Sequence, residues 1–110
     1  MLAKEFILKR RKDIELVMKK GYMHQTPLFG MLVYNGKEVG DKRFGFIISK
    51  KISKRAVDRN RIKRLLTEAV RKNIDKFEGK KWVVFLAKKN LLGLKYEEVE
   101  KEILKIKTLP

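Results

Sequence analysis

Residues 50–71 read KKISKRAVDRNRIKRLLTEAVR, with nine Lys or Arg against two acids. Guanidinium groups fork onto two phosphate oxygens and ammonium groups supply mobile point charge, so this mixture suits a ribose-phosphate strand better than a carboxylate surface. The stretch binds anions but offers no hydrolytic chemistry. His24 is the only histidine and cysteine is absent, which leaves neither a zinc-type ligand set nor a His-based triad. Glu97, Glu98, Glu100 and Glu102 are acidic neighbours, but Glu97 and Glu98 have helical pair spacing to Lys101 and read as a salt-bridged solvent face. No Gly-rich phosphate loop is present, so nucleotide hydrolysis has no support. The expectation is a binding protein with no catalytic residue and no protein metal site.

The cations need a rigid carrier, and apolar spacing supplies it. At about 100° per residue, Ile62, Leu65, Leu66, Ala69, Val70 and Ile74 share one stripe of a helix predicted to start near Ser53 or Lys54 and to run to about Phe77. Asn60, Arg64 and Arg71 lie opposite the stripe, while Arg59, Lys63 and Arg61 flank it. Lys50, Lys51, Lys54 and Arg55 cluster where the helix N-terminus adds its own partial positive charge. Asn60 is a poor helix former between two arginines; its amide both donates and accepts, which a cation cannot do toward a 2′-hydroxyl or phosphate.

The charge is local as well as large. Of the formal +16 on 110 residues, +7 falls in residues 50–71 and none in residues 95–110. Such placement predicts an oriented positive face meeting a polyanion. With 44% hydrophobic residues, two prolines and no low-complexity stretch, the chain is expected to be one domain over 1–110. The longest apolar run, Trp82 to Ala87, is far too short for a membrane span, and the lack of cysteine fits a reducing interior. A cytoplasmic protein with no membrane partner is the expectation.

The remaining elements frame that helix. Ile14, Val17 and Met18 mark a short helix over residues 11–20, closing at Gly21 as a left-handed cap. Leu28 to Tyr34 and Arg43 to Ser49 read as strands, paired antiparallel across a loop that opens with Asn35-Gly36. A short strand at Tyr22 to His24 precedes them, Trp82 to Ala87 is a further strand with a half-buried Trp82, and Lys95 to Lys107 is a final helix. Phe29, Phe44 and Phe46 read as core, whereas Tyr34 is divided between core and site. The order α-β-β-β-α-β-α reads as an α+β fold, or a split α/β sandwich.

The string Lys54 to Arg64, KRAVDRNRIKR, resembles the RNR motif of the protein subunit of bacterial ribonuclease P. Asp13 before a helix closing at Lys19-Lys20-Gly21, the run RFGFIISKK and the strand ending Ala87-Lys88-Lys89 are similar to that family in order and spacing. The resemblance implies a ribosomal protein S5 domain 2-like α/β sandwich with a left-handed βαβ crossover through the basic helix. It implies a partner, too: a catalytic RNA that removes the 5′ leader from precursor tRNA. On that pattern Arg59, Asn60, Lys63 and Arg64 would face the catalytic RNA or the nearby substrate, with Lys54, Arg55 and Arg61 as supporting cations; Lys50 and Lys51 join the expected RNA-binding set from their place at the helix N-terminus. Thr67 stands where the family usually has Arg, and would offer a hydroxyl instead of a fork. A cleft of Ile14, Met18, Leu32 and Tyr34 would hold the leader, with aliphatic groups where aromatics are common. No cofactor is expected on the protein; magnesium is expected to be held mainly by the RNA, which would perform the cleavage. A ribosomal or ribosome-assembly protein is the rival reading. A DNA-binding regulator is disfavoured because the basic helix follows a strand rather than a helix–turn.

Overall fold

Two apolar runs, FGMLVY and WVVFLA, lie side by side at the middle of a four-stranded sheet. The computed structural model describes residues 2–77 and 79–106. Its strands are β1 (Tyr22–Gln25), β2 (Phe29–Tyr34), β3 (Arg43–Ile47) and β4 (Trp82–Ala87), in the spatial order β1-β2-β4-β3. Strand β2 runs antiparallel to both β1 and β4, and β3 runs parallel to β4. The hairpin expected between β2 and β3 does not form, because β4 lies between them. A strand that is apolar on both faces gains most from a central place, and β4 shows four buried residues in succession. Strand β3 takes the edge, where the N-terminal arm covers it: Leu8 N donates to Phe44 O at 2.9 Å, and Ile7 bridges Phe44.

Helices cover both faces. On one side α1 (Arg11–Lys20) buries Val17 against Leu32, Trp82 and Val84. Gly21 follows it with φ −72°, so it is no left-handed cap. The glycine answers a close approach instead: a Cβ there would stand 2.7 Å from Val17 O and 3.0 Å from Val33 O. Trp82 is buried rather than half-buried, at 6% exposure.

On the other side α2 (Ala56–Lys72) and α3 (Tyr96–Ile106) close the larger core. Ile62, Leu66, Ala69 and Val70 are buried, as the stripe predicts. Under them Phe29 and Phe85 meet edge to face at 5.3 Å, and Phe44 meets Phe77 at 5.0 Å. Each such ring contributes about 1.5–3 kcal/mol by burial.

Both ends of α2 fall inside the predicted bounds. Ser53 Oγ accepts from Arg55 N at 3.2 Å and donates to Asp58 at 2.8 Å, which holds residues 53–55 in a turn before the helix begins. At the far end Asn73 is buried, and its amide donates to Ala69 O at 2.8 Å and to Glu100 at 3.0 Å. That side chain takes a terminal carbonyl that a continuing helix would need, and a short 3-10 turn follows at Ile74–Lys76. Lys42 Nζ caps the turn by donating to Ile74 O and Phe77 O at 2.7 and 3.1 Å. Lys107, the predicted end of the last helix, lies outside the described residues.

Candidate nucleic-acid interface

The exposed side of α2 and the turn before it form the candidate interface. Lys50, Lys51, Lys54, Asn60, Lys63 and Arg64 are exposed, and their side chains make no hydrogen bond or ion pair with the described residues. The buried stripe on the opposite side fixes the helix, so these groups stand on a support that the core holds still. Among the described residues nothing neutralises them.

The other predicted cations have internal work. Arg59 Nη1 donates to Ser53 O at 2.8 Å, bracing the turn ahead of the helix. Arg61 Nη2 donates to Leu94 O at 2.8 Å and ties α2 to the segment that leads into α3. A guanidinium has five N–H donors, so each keeps several for a ligand. Arg55 lies 3.9 Å from Asp58. Arg71 is forked onto Glu68; that hydrogen bond holds the Glu68 carboxyl below its ordinary range and raises the Arg71 guanidinium. The row of unpartnered cations therefore ends before the last turn of α2. Thr67 Oγ1 donates to Arg64 O at 3.1 Å, so its proton is spent within the helix. The hydroxyl oxygen retains only acceptor capacity toward a ligand, unlike the donor expected from sequence.

The α1 face of the sheet gathers the four residues expected to form a leader cleft, but presents them unequally. Leu32 is buried, Ile14 is packed in the small core, and Met18 is 45% exposed. Tyr34 lies against Trp82 at 6.3 Å, and its hydroxyl donates to Glu38 in the loop after β2. That bond lowers the Glu38 carboxyl and raises the Tyr34 phenol, so the ring anchors the loop. Met23, opposite Leu32 in the β1–β2 register, is also 45% exposed on this face. The sequence reading missed it; strand alternation from Tyr22 was the available signal.

Among the described residues no three His, Cys, Asp or Glu side chains come together as a metal site, and no helix is long and apolar enough to cross a membrane. His24 is half-buried, edge-on to Tyr22 at 6.5 Å.

The ribonuclease P family model matches residues 2–108. The chain belongs to the ribonuclease P protein family. It is 36% identical over 105 residues to the ribonuclease P protein component of Finegoldia magna, covering 96% of this chain and 90% of that one. It is 37% identical to the component of Pelotomaculum thermopropionicum, over 91% of this chain and 88% of the relative. A solved structure of the Staphylococcus aureus RNase P protein superposes with a TM-score of 0.79 at 26% identity, covering 94% of this chain and 96% of the other. A ribonuclease P protein is one component of a ribonucleoprotein endoribonuclease of tRNA processing, so its partner is an RNA. The four-stranded sheet with three helices is the fold of that family.

Proposed function

We propose that this chain docks the catalytic RNA of ribonuclease P through the unpartnered face of α2 and assists that RNA in removing the 5′ leader from precursor tRNA in the cytoplasm. The observation that carries the reading is the division of labour along one helix. Lys63 and Arg64, with Lys50, Lys51 and Lys54 in the preceding turn, have no partner among the described residues, whereas Arg59, Arg61 and Arg71 are hydrogen-bonded within the fold. Cations without an internal partner break no ion pair to reach a phosphate, and the helix backbone fixes their spacing.

In this reading the protein contributes position and charge. Lys63 and Arg64 screen the repulsion between two RNA molecules, Asn60 meets a 2′-hydroxyl or phosphate, and Met18 lies beside the leader. The RNA holds magnesium and supplies the water-activating chemistry. Leader contact on the α1 face is aliphatic and thioether rather than aromatic, so it lacks base stacking worth about 1–3 kcal/mol per base.

The test is reconstitution at low magnesium. The chain restores cleavage of precursor tRNA by the catalytic RNA and cleaves nothing alone. Cleavage by the protein without RNA would overturn the assignment of the chemistry, and failure to restore cleavage while binding ribosomal RNA would favour the assembly-protein reading.

A further inference from the structure

On the flank of α2 away from α3, a groove of about 520 Å³ opens between the helix, β3 and the N-terminal arm. Its floor is apolar, with Leu2 and Ile7 from the arm and Phe46 from β3, and Val57 from the first turn of α2 stands at its rim. Its wall is polar and basic, formed by Asn60, Lys63 and Arg64. None of the described residues that line it is acidic. The size falls within the range of about 300–1,000 Å³ typical of small-ligand sites.

Two features narrow the occupant. Phe46 is stacked on the fully buried Phe85, with centroids 5.4 Å apart and planes 7° from parallel, so its ring is held rigidly and its accessible part faces the groove. Val57, at the rim, is 56% exposed although it is β-branched and apolar. A planar apolar group with an anion one bond network away would satisfy both the floor and the wall. A nucleotide carries that pair of groups in one monomer, and a base must be unpaired to leave its stack.

We infer that the groove receives one unpaired nucleobase of the RNA partner, inserted against Phe46 between the N-terminal arm and α2, while its flanking phosphate meets Lys63 and Arg64. The inference rests on the reading of α2 as the RNA-docking face, and adds to it a pocket on the opposite side of the sheet from the α1 face. The Asn60 amide, which donates and accepts, suits the edge of the base.

The chain has no cysteine, so Val57→Cys carries a single photocrosslinker at the groove rim. In the complex of full chain and catalytic RNA, the crosslink maps to one unpaired nucleotide. Making that nucleotide abasic weakens binding of the wild-type protein by about 5- to 150-fold, the effect of one lost stack, and leaves the affinity of Phe46→Leu unchanged. Should Phe46→Leu lose its cooperative melting, Val57→Trp, which fills the groove from its rim, takes its place with the same expectation. A crosslink to base-paired RNA or to a second copy of the chain would overturn the inference, as would equal losses with both proteins. Retained RNA binding in those cases would leave the docking role of α2 standing; no RNA binding at all would overturn both.

Discussion

The two faces of the sheet are built differently and are suited to different work. On the α2 and α3 face, Phe29, Phe44, Phe85, Ile62, Leu66 and Ile103 form a large core that holds a 17-residue helix still. On the α1 face the core is smaller, centred on Val17, Leu32 and Val84, and Met18 and Met23 remain open beside it. A phosphate contact depends on charge held at fixed spacing, which the large core provides. A contact with varied single-stranded bases tolerates flexible thioethers, which the small core leaves exposed.

The contrast is broken most severely by emptying the large core. Phe85→Ala should destabilise the fold by about 3–5 kcal/mol and lower RNA affinity with it, whereas Val17→Ala, under α1, should cost less and spare RNA docking. Paired denaturant melts and binding isotherms check this. Next in size is the joint between α2 and α3. Asn73→Ala strands the Ala69 carbonyl and removes a donor from Glu100, at a cost of about 1–3 kcal/mol read by urea unfolding.

The same joint has a pH signature. Burial, then the hydrogen bond to Glu100, pushes Tyr96 up to about 12 from an ordinary 10.0. Because the folded value is the higher one, the stabilisation is complete below about pH 10 and is lost as pH rises toward 12. Tyr96→Phe should remove that part of the alkaline loss. Glu100 shifts the other way: the hydrogen bonds from Asn73 and then Tyr96 lower its carboxyl below 4.5, so its contribution is present above that pH and fades as pH falls through the folded value. The smallest effect belongs to the α1 face. Met18→Phe should tighten binding of leader-bearing tRNA several-fold, by less than the full stacking range of about 1–3 kcal/mol, and leave mature tRNA unchanged. Equal tightening of both would remove Met18 from the leader path.

Some of this was legible in the sequence. The stripe from Ile62 to Val70 named the buried side of α2 because helical periodicity is a local property. The strands were legible as apolar runs, but their order was not. Asn35-Gly36 favoured a local hairpin, while the sheet places β4 between β2 and β3 because only a central position buries both of its faces. Gly21 looked like a helix cap and instead serves the close pass of Val33. Within the candidate site, residue type located the cations but could not sort them. Arg59 and Arg61 are drawn into the fold by the carbonyls of Ser53 and Leu94, and the latter lies 33 residues away. The groove at Phe46 was invisible for the same reason, since the arm, β3 and α2 meet only in the folded chain.

On this reading Lys63 and Arg64 meet phosphate, whereas Arg71, whose charge is taken by Glu68, does not. The salt dependence of catalytic-RNA binding tests it directly, comparing Lys63→Ala/Arg64→Ala with Arg71→Ala. The log–log slope is expected to fall by about two for the double variant and to stay unchanged for Arg71→Ala, whose guanidinium is already forked onto Glu68. Equal changes in the two proteins, or an unchanged slope in the double variant, would contradict it.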